Sequence, residues 1–255
     1  MIFILGGSGF VGSAFVRYCV THGLAHAALT RANYDHYAGQ ACRLLINAGG
    51  NSSKRLPLSD PLLDFDKNAR DTLRSLLDFR AECYVLLSSI DVYRDHADPA
   101  NNAETNAIVP EQLSRYGLSK YVGELMVHHY APRHFVFRLG GMVGPGLRKN
   151  AIYDLTHGGR LFVHPESCYQ YMHTDWLAET ILELVEHQKP GQTINVCGDQ
   201  PLALTSVMEW LGLSLPTIDL KVEQYQVNID RLKAAVPVPD SLTSVRRYLA
   251  EINAT

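Results

Sequence analysis

Three side chains in the first half of the sequence, a serine, a tyrosine and a lysine, have the types and spacing needed to move a proton. Tyr116 and Lys120 belong to the run Tyr-Gly-Leu-Ser-Lys, so on a helix they share one face. Tyrosine is a poor acid-base group at neutral pH because its ordinary pKa is about 10, and a lysine ammonium one turn away favours the phenolate. Ser89 ends an apolar run and can offer its hydroxyl to the same substrate oxygen. Because such a pair alone usually marks a solvated helix face, the prediction depends on the motifs around it.

The elements that must position these side chains follow from apolar runs that alternate with helical patterns. Parallel sheets covered by helices on both faces show this alternation, so an α/β fold is predicted. The predicted strands are Ile2 to Leu5, Ala27 to Thr30, Arg43 to Asn47, Cys83 to Ser88, Phe135 to Leu139 and Thr193 to Cys197. The first predicted helix follows Gly9, and a second runs from about Lys67 to Phe79 with Leu73, Leu76 and Leu77 facing inward. A long helix is predicted from Pro110 to about Tyr130. Three more are predicted near Asp175 to His187, Thr205 to Leu211 and Asp240 to Ile252.

A glycine-rich turn lies between the first strand and the first helix. Glycines let the backbone turn tightly and approach a pyrophosphate, and the free N–H groups at a helix start attract its charge. The spacing is Gly-x-x-Gly-x-x-Gly, and the predicted dinucleotide-binding residues are Gly6, Ser8, Gly9, Phe10, Val11 and Gly12. Strand-to-helix turns also use glycine for backbone reasons alone, so it is the position directly after an N-terminal strand that favours cofactor binding.

The end of the second strand bears on which dinucleotide is bound. An acidic residue there accepts hydrogen bonds from the ribose 2'-hydroxyl of NAD, whereas an arginine pairs with the 2'-phosphate of NADP. The strand ends in Thr30-Arg31, which favours NADP because a guanidinium can hold a phosphate through two hydrogen bonds. NAD is the alternative, since Arg31 could be a solvated surface residue and Asp35 could reach the ribose.

The order of these motifs resembles the extended short-chain dehydrogenase/reductase group, also called the NAD-dependent epimerase/dehydratase family. The segments that carry the resemblance are Gly6 to Gly12, Asn47 to Gly49, Ser88 to Tyr93, Tyr116 to Glu124, Arg138 to Gly146, His173 to Asp175, Ile194 to Val196 and Asp230 to Lys233. The resemblance implies a Rossmann-type doubly wound parallel sheet with a small C-terminal substrate lobe. We expect the NAD(P)-binding domain at residues 1–145 and 169–198, and the substrate-binding lobe at residues 146–168 and 199–255.

The resemblance also implies a role for each motif residue. Tyr116 is expected to be the acid-base group, Lys120 to hold the nicotinamide ribose, and Ser89 to orient the substrate oxygen. Asn150 matches a substrate-contacting asparagine, and a helix N-cap is an equal alternative for it. The further cofactor contacts are predicted at Thr30, Arg31, Asn47, Ala48, Gly49 and Leu139.

Members of this family act mostly on nucleotide sugars, and departures from the family pattern narrow the reaction. Dehydratases carry an acid pair after the serine, whereas Ile90 and Asp91 supply one carboxyl, which argues against water elimination. An asparagine near Gly141 and an arginine near Tyr169, common in epimerases, are also missing. We therefore predict an NADPH-dependent reductase of a keto group on a nucleotide sugar or similar substrate. The alternatives are a 4-epimerase with tightly bound NAD and a non-catalytic, cofactor-sensing protein, a class that typically lacks the tyrosine and lysine.

Composition excludes other classes of protein. The 255 residues are 46% hydrophobic and 19% charged, and their net charge of -3 and pI near 6.4 predict no surface for nucleic acid or an anionic membrane. Five scattered cysteines without a Cys-x-x-Cys pair, and eleven histidines without metal-site spacing, predict neither disulfides nor a metal site. The sequence shows no leader or spanning run, so a cytoplasmic protein is predicted. The family's habit of pairing through the tyrosine helix predicts a homodimer.

Two further features bear on the ligand pockets. Tyr169, Tyr171 and Trp176 could form a sugar-stacking surface, but core packing is the commoner role and is preferred. Tyr225 is predicted to pack within the lobe. The segment from Arg31 to Asn47 is short for the family, which implies a trimmed helix and strand and an altered adenine pocket.

Overall fold

The centre of the protein is a parallel sheet, as seen in a computed structural model that describes residues 1–214 and 219–254. Within these residues the strands are β1 (Ile2–Leu5), β2 (His26–Leu29), β3 (Ala41–Asn47), β4 (Arg80–Ser89), β5 (His134–Leu139), β6 (Gly141–Val143), β7 (Cys168–Tyr169), β8 (Tyr171–His173), β9 (Gln192–Val196) and β10 (Leu202–Ala203). Six of them form the sheet in the order β2-β1-β3-β4-β5-β9, and each neighbouring pair is parallel. The predicted strands are confirmed, with ends shifted by up to three residues.

Helices and tight turns connect the strands. Among the described residues the α-helices are α1 (Gly12–Thr21), α2 (Tyr34–Tyr37), α3 (Leu56–Ser59), α4 (Pro61–Phe65), α5 (Asp71–Asp78), α6 (Arg115–Tyr130), α7 (Ala151–Thr156), α8 (Thr174–His187), α9 (Leu204–Trp210), α10 (Asp230–Ala235) and α11 (Ser241–Asn253). Turns of 3-10 helix lie at Ile90–Val92, Pro99–Asn101 and Pro110–Gln112, and a π-helical turn lies at Asp66–Arg70. In this described part, no helix is both long and apolar enough to cross a membrane.

Alternate side chains of the central strands face opposite layers of helices, as the two-residue period of a strand requires. In β1, Ile2 and Ile4 pack into the cluster that contains Phe15 of α1 and residues of α8. Phe3 packs on the other face, in the cluster that contains Val127 of α6. The sheet is therefore covered on both sides, and the prediction of a Rossmann-type doubly wound fold is confirmed.

Helix α6 begins later than predicted. The expected start was Pro110, but this proline opens a separate 3-10 turn and the α-helix starts at Arg115. The cause is a cap, since Ser114 Oγ accepts a hydrogen bond from the Gly117 N–H at 3.0 Å. This start places Tyr116 in the first turn of α6, close to the carboxyl edge of the sheet.

The helix predicted from Lys67 to Phe79 is interrupted, and its inward face was predicted wrongly in part. The π-helical turn at Asp66–Arg70 inserts an extra residue between α4 and α5, which rotates the later side chains away from a purely α-helical pattern. As a result Leu77 is 66% exposed, while the polar Thr72 and Ser75 are buried. This face is held by hydrogen bonds of the two hydroxyl groups.

A second hydrophobic cluster lies beside the sheet domain and is built mainly from the later part of the chain. It contains Ile152 of α7, Leu204 of α9 and Tyr248 of α11. This cluster is the small C-terminal lobe expected for the fold. Leu232 of α10, in contrast, packs into the main core. The ranges 146–168 and 199–255 stay a proposal for the extent of the lobe, and residues 215–218 and 255 of it lie outside the described part.

Candidate functional site

The glycine turn after β1 forms a cradle at the start of α1. A Cβ at Gly12 would collide with the Gly6 carbonyl, so only glycine lets the helix approach the turn this closely. The Gly9 N–H donates to the same carbonyl at 2.8 Å, which closes the turn. Ser8 and Gly9 are exposed, and Phe10 and Val11 are half-buried. The first turn of α1 is thus accessible to an anion such as a pyrophosphate.

The end of β2 lies beside this cradle, because β2 is the direct neighbour of β1. Thr30 donates its N–H to Asn33 Oδ1 at 2.6 Å and its hydroxyl to the same atom at 3.2 Å, which fixes the loop. Arg31 is exposed and makes no ion pair or hydrogen bond with the described residues. Asp35, the alternative ribose ligand, instead pairs with Arg74 at 3.2 Å.

The Asn47-Ala48-Gly49 segment after β3 lies on the other side of the cradle. The Asn47 side chain is buried, donates to the Tyr84 hydroxyl at 2.8 Å and accepts from the Gly49 N–H at 3.0 Å. Both ends of this amide are thus engaged in shaping the loop. Ala48 and Gly49 are half-buried and are the more accessible members of the segment.

The serine, tyrosine and lysine come together at the carboxyl end of β4. Ser89 is the last residue of this strand and lies directly beside Leu139 at the end of β5. The Tyr116 hydroxyl donates to the Asn51 carbonyl at 3.3 Å and lies close enough to the Ser89 hydroxyl for the latter to influence the pKa of Tyr116. The Lys120 ammonium lies 5.9 Å from the centre of the Tyr116 ring. One strand end and one helix face therefore supply all three groups.

Lys120 is half-buried beside the ring of Tyr116. Burial lowers the pKa of Lys120 to about 8, although Asp64 and Glu124 act in the opposite direction. With residues 1–214 and 219–254 it makes no hydrogen bond or ion pair. A Cβ built on Gly50 would lie 3.4 Å from the ammonium, so the loop after β3 passes close to it. A shifted pKa in a crevice is typical of a group that serves a ligand.

The Tyr116 hydroxyl is held in its protonated form. Burial raises the pKa of Tyr116 well above its ordinary value, and the nearby Asp91 raises it further. Lys54 and the hydrogen bond with Ser89 act in the opposite direction. The sequence predicts that Lys120 favours the phenolate, whereas in the structure Lys54 is the strongest cationic influence on this hydroxyl.

Close packing of α6 sets the distance between the tyrosine and the end of β4. A Cβ at Gly117 would collide with the Asp91 carbonyl, so the glycine that follows Tyr116 is required for this contact. The hydroxyl of Tyr116 can then reach Ser89 across a short gap. The close contact between α6 and the Asp91 carbonyl thus explains why glycine follows the tyrosine in the Tyr-Gly-Leu-Ser-Lys run.

The π-helical turn supplies a buried asparagine that sequence reasoning missed. Asn68 accepts a hydrogen bond from the Asn51 N–H at 2.9 Å and donates to Ser119 Oγ at 3.1 Å. Ser119 in turn donates to Asp64 at 2.6 Å. These bonds tie the loop that contacts the Tyr116 hydroxyl to helix α6. No sequence pattern indicates this link, because it depends on an irregular helix turn.

Three more side chains around Asp91 were not predicted to be functional. Lys54 forms an ion pair with Asp91 at 2.6 Å and donates to the Tyr225 hydroxyl at 2.8 Å. His96 stacks on Tyr225, with 4.5 Å between the ring centres. Asp91 also accepts a hydrogen bond from Ser89 at 3.0 Å, so the group adjoins the candidate catalytic residues. The position of Asp91 two residues after Ser89 is the one signal in the sequence that points here.

Asn150 is placed as a helix cap. Its Oδ1 accepts from the Tyr153 N–H at 2.9 Å at the start of α7, and its Nδ2 donates to the Met142 carbonyl at 2.9 Å. Its backbone φ of 146° is unusual for a residue with a side chain and is stabilised by these two bonds. Substrate contact by Asn150 stays a prediction.

Three possible metal ligands, His173, Asp175 and Glu251, lie close together near the N-terminus of α8. Their carboxylates are engaged by arginines: Asp175 pairs with Arg17 and, at 3.2 Å, with Arg247, which also pairs with Glu251 at 2.9 Å. The group is an ion-pair network between α1, α8 and α11.

The parallel sheet and the glycine turn after β1 define a doubly wound α/β protein, and comparison with known proteins identifies its family. The model described as the NAD dependent epimerase/dehydratase family matches residues 2–197. The chain belongs to this family. The resemblance expected from the sequence motifs is therefore confirmed. A search of curated proteins gives no match.

Solved structures of similar fold cover nearly the whole chain. A UDP-galactose 4-epimerase gives a TM-score of 0.79 at 23% identity and covers 98% of both chains. RMD from Pseudomonas aeruginosa, complexed with NADPH, gives a TM-score of 0.77 at 20% identity and covers 100% of this chain and 99% of that chain. UDP-glucuronic acid 4-epimerase from Bacillus cereus, in complex with UDP-glucuronic acid and NAD, gives 0.80 at 15% identity, with 99% of both chains covered. At these identities the likeness shows the fold.

Proposed function

We propose that this protein is an NADP-dependent oxidoreductase that reduces a keto group of a nucleotide-activated sugar or a similar substrate. The observation that carries the proposal is the meeting of Ser89, Tyr116 and Lys120 at the carboxyl edge of the sheet. In open α/β sheets, ligands bind in the crevice outside these strand ends. The proton donor and the glycine cradle therefore face a common crevice.

The residues lining the crevice fit a nicotinamide dinucleotide. The cradle, which a Cβ at Gly12 would fill, and the accessible N-terminus of α1 would hold the pyrophosphate. Lys120 would hold the nicotinamide ribose, and Arg31 is free among the described residues to meet a 2'-phosphate, which favours NADP over NAD. When bound, the nicotinamide supplies the hydride for the carbonyl carbon.

Tyr116 supplies the proton in this proposal. Because its pKa is raised, the hydroxyl stays protonated at neutral pH and can donate to a carbonyl oxygen that is gaining negative charge. Ser89 can release its bond to Asp91 and donate to the same oxygen. Lys54, the cation that lowers the pKa of Tyr116, would stabilise the phenolate that is left.

The second candidate is a nucleotide-sugar 4-epimerase with tightly bound NAD. It is favoured by the fold shared with two 4-epimerases over nearly the full chain length. Such an enzyme would use Tyr116 first as a base and then as an acid, and it would return the hydride to the opposite face of the sugar. A non-catalytic, cofactor-sensing protein is disfavoured because it has no need for the assembled Ser89, Tyr116 and Lys120.

The test is a turnover assay with NADPH and a panel of nucleotide-linked keto sugars, followed through the loss of reduced nicotinamide. Net consumption of NADPH matched by a new sugar hydroxyl supports the reductase. Inversion of UDP-galactose without net consumption, with NAD retained through purification, would assign the epimerase instead. Binding of the dinucleotide with neither reaction would reject both enzymes and leave the sensing protein.

The choice of cofactor is tested at Arg31. Hydrogen bonds to charged groups contribute about 1.5 to 3 kcal/mol, so Arg31→Ala should weaken NADPH binding about 10- to 100-fold and change NADH binding little. Arg43→Ala removes an exposed arginine from the opposite end of β3 and serves as the matched control. Equal losses for both dinucleotides, or tighter NADH binding by the unaltered protein, would reject NADP.

We also propose that the protein forms a homodimer through α4 and α6. Leu62 and Phe65 on α4 are 78% and 46% exposed, and Leu118 and Leu125 on α6 are 41% and 43% exposed. Leu118 and Leu125 are seven residues apart and therefore share a helix face. Leu118→Asp with Leu125→Asp should shift the protein to a monomer in sedimentation, whereas Leu213→Asp, on an exposed lobe residue, should not. A wild-type monomer at micromolar concentration would contradict the proposal.

A further inference from the structure

An ion pair lies against the place where a substrate oxygen must bind. Lys54 pairs with Asp91 at 2.6 Å, and Asp91 Oδ2 accepts from the Ser89 hydroxyl at 3.0 Å. A substrate oxygen that contacts both Ser89 and Tyr116 therefore lies close to the Asp91 carboxylate. The Asp91 side chain is 12% exposed and that of Lys54 is 55% exposed, so the pair extends from the interior to the surface.

The positive charge of Lys54 is already compensated. Burial alone would lower the pKa of Lys54, but Asp91 and Tyr225 outweigh this effect and raise the pKa above its usual range. A substrate carboxylate that approached Lys54 would share the ammonium with Asp91 and would lie close to this second carboxylate. Two like charges at such a short distance repel each other, so this arrangement is unfavourable. A substrate hydroxyl, in contrast, can donate to Asp91 while the ion pair persists.

The surface next to this pair is aromatic, and the Glu223 carboxylate borders it by accepting a hydrogen bond from the Tyr169 hydroxyl at 2.7 Å. His96 stacks on Tyr225, and Tyr225 stacks on the half-buried Tyr169 with 5.2 Å between ring centres. Burial lowers the pKa of His96, so its ring is neutral at pH 7. Its Nε2 lies 3.7 Å from Asp91 Oδ1 and has no hydrogen-bond partner among the described residues. Tyr171 is buried in the second hydrophobic cluster, in line with the predicted core packing, and the half-buried Tyr169 packs against the same cluster while it stacks on Tyr225.

We propose that Asp91 and Lys54 select sugars with a hydroxyl group near the reacting carbon and exclude sugars with a carboxylate there. This inference deepens the proposed function and rests on it. Asp91 accepts the substrate hydroxyl, and Lys54 keeps the Asp91 charge compensated. The pair thus selects the substituents of the sugar, while Ser89 and Tyr116 bind the carbonyl oxygen.

The test compares binding of UDP-galactose and UDP-galacturonic acid, which differ by a hydroxymethyl group and a carboxylate. Calorimetry on the full chain with Tyr116→Phe and bound NADP⁺ measures affinity without turnover. A single hydrogen bond to a charged group changes affinity about 10- to 100-fold, so we expect UDP-galactose to bind at least tenfold more tightly. Because the readout is a ratio of two ligands on one sample, partly unfolded variants do not distort it.

Two variants should move this ratio in opposite directions. Asp91→Asn releases Lys54 to meet the carboxylate and should shrink the preference for UDP-galactose about tenfold. Lys54→Gln leaves the Asp91 charge uncompensated and should enlarge the preference. Glu111→Gln removes one exposed carboxylate from the same region and should leave the ratio unchanged. A general loosening of the site would not produce opposite signs.

The outcomes separate this inference from the proposal beneath it. If both sugars bind and neither substitution moves their ratio, the role of Asp91 and Lys54 is overturned while the nucleotide-sugar class stands. If UDP-galacturonic acid binds more tightly to the unaltered pair, the direction of selection is overturned. If neither sugar nor UDP binds, the nucleotide-sugar class itself fails, and the selection falls with it.

Discussion

Two charged side chains stand one turn apart on the same helix, and their surroundings differ. Glu124 is fully buried and is paired with Arg138, whose Nη2 lies 2.7 Å from it. It also accepts a hydrogen bond from the Ser88 hydroxyl, and Arg138 donates to Tyr93 at 2.7 Å. Lys120, in contrast, has no direct partner among the described residues and a lowered pKa.

This difference distinguishes a charge that stabilises the fold from a charge that is available to contact a ligand. A buried charge with all its hydrogen bonds satisfied holds neighbouring elements in one arrangement, here α6 against β4 and β5. A buried charge without a partner destabilises the fold and persists where a ligand completes it. We therefore propose that the first turns of α6 serve a ligand, whereas the centre of the helix stabilises the fold.

The largest effect should follow from Tyr116→Phe. Removing the proton donor should lower kcat about 100- to 10,000-fold, while NADPH affinity and melting temperature stay nearly unchanged. Tyr130→Phe, at the exposed end of the same helix, is the control for loss of a tyrosine hydroxyl. Steady-state kinetics with the best substrate of the panel measures the effect. Unchanged turnover would remove Tyr116 from the chemistry.

Glu124→Ala should have the next largest effect, on the free energy of unfolding. It leaves Arg138 buried without its partner and should destabilise the protein by about 3 to 5 kcal/mol. The double variant with Arg138→Met should recover part of this loss, because no unpaired charge then remains. Glu82→Ala, on an exposed residue of β4, should stay within about 0.5 kcal/mol of wild type in urea unfolding. If Glu124→Ala changed the free energy of unfolding only slightly, Glu124 would not be a stabilising charge, and it would not differ from Lys120 in this respect.

Ser88→Ala tests the same hydrogen-bond network and should destabilise the protein less than Glu124→Ala does. The Ser88 hydroxyl donates to Glu124, and losing one buried donor to a charged acceptor should cost about 1 to 3 kcal/mol of stability. Ser214→Ala, on an exposed serine, should be neutral. Urea unfolding of both variants decides the point, and equal stabilities would show that Glu124 is satisfied without Ser88.

Lys120→Met should act in the opposite direction on stability. The pKa of Lys120 is about 8 in the folded protein against an ordinary value of 10.5, so folding disfavours the ammonium. That penalty is fully present below pH 8 and disappears as the pH rises towards 10.5. The variant should therefore melt about 2 to 4 °C higher than wild type at pH 7, a gain of about 1 kcal/mol, and the gain should vanish above pH 10.5.

The same variant should lose dinucleotide affinity, because the ammonium is removed from the proposed ribose site. Thermal melts from pH 6 to pH 11, with and without NADPH, measure both effects in one series. A variant that is less stable at every pH would show that Lys120 is a structural charge like Glu124.

Residues in local motifs were the ones the sequence could predict. The Tyr-Gly-Leu-Ser-Lys run and the glycine turn each lie within a single strand-to-helix unit, so their spacing alone indicates a shared face or a tight turn. Successive apolar residues in Ile2, Phe3 and Ile4 likewise indicate that the sheet is covered by helices on both faces, because neighbouring side chains of a strand point to opposite faces. These features need no knowledge of distant contacts.

Residues joined by tertiary contacts could not be predicted. Lys54 and Tyr225 are 171 residues apart and meet beside Asp91. The exposure of Leu77 depends on a π-helical turn that has no reliable sequence pattern. The influence of Lys54 on Tyr116 depends on burial of the hydroxyl, which spacing along the chain does not report.

The parallel sheet also determines when the crevice can form during folding. Each of its five pairings joins parallel strands, and parallel neighbours need a crossover rather than a hairpin. Pairing of this kind requires a long loop to close before the contacts between the strands compensate for the conformational entropy that the loop loses. Folding is slowed as a result. The glycine turn after β1 and Ser89 at the end of β4 become neighbours only after both strands have joined β3. Recovery of dinucleotide binding during refolding is therefore expected to follow the slow assembly of the sheet rather than the fast appearance of helices.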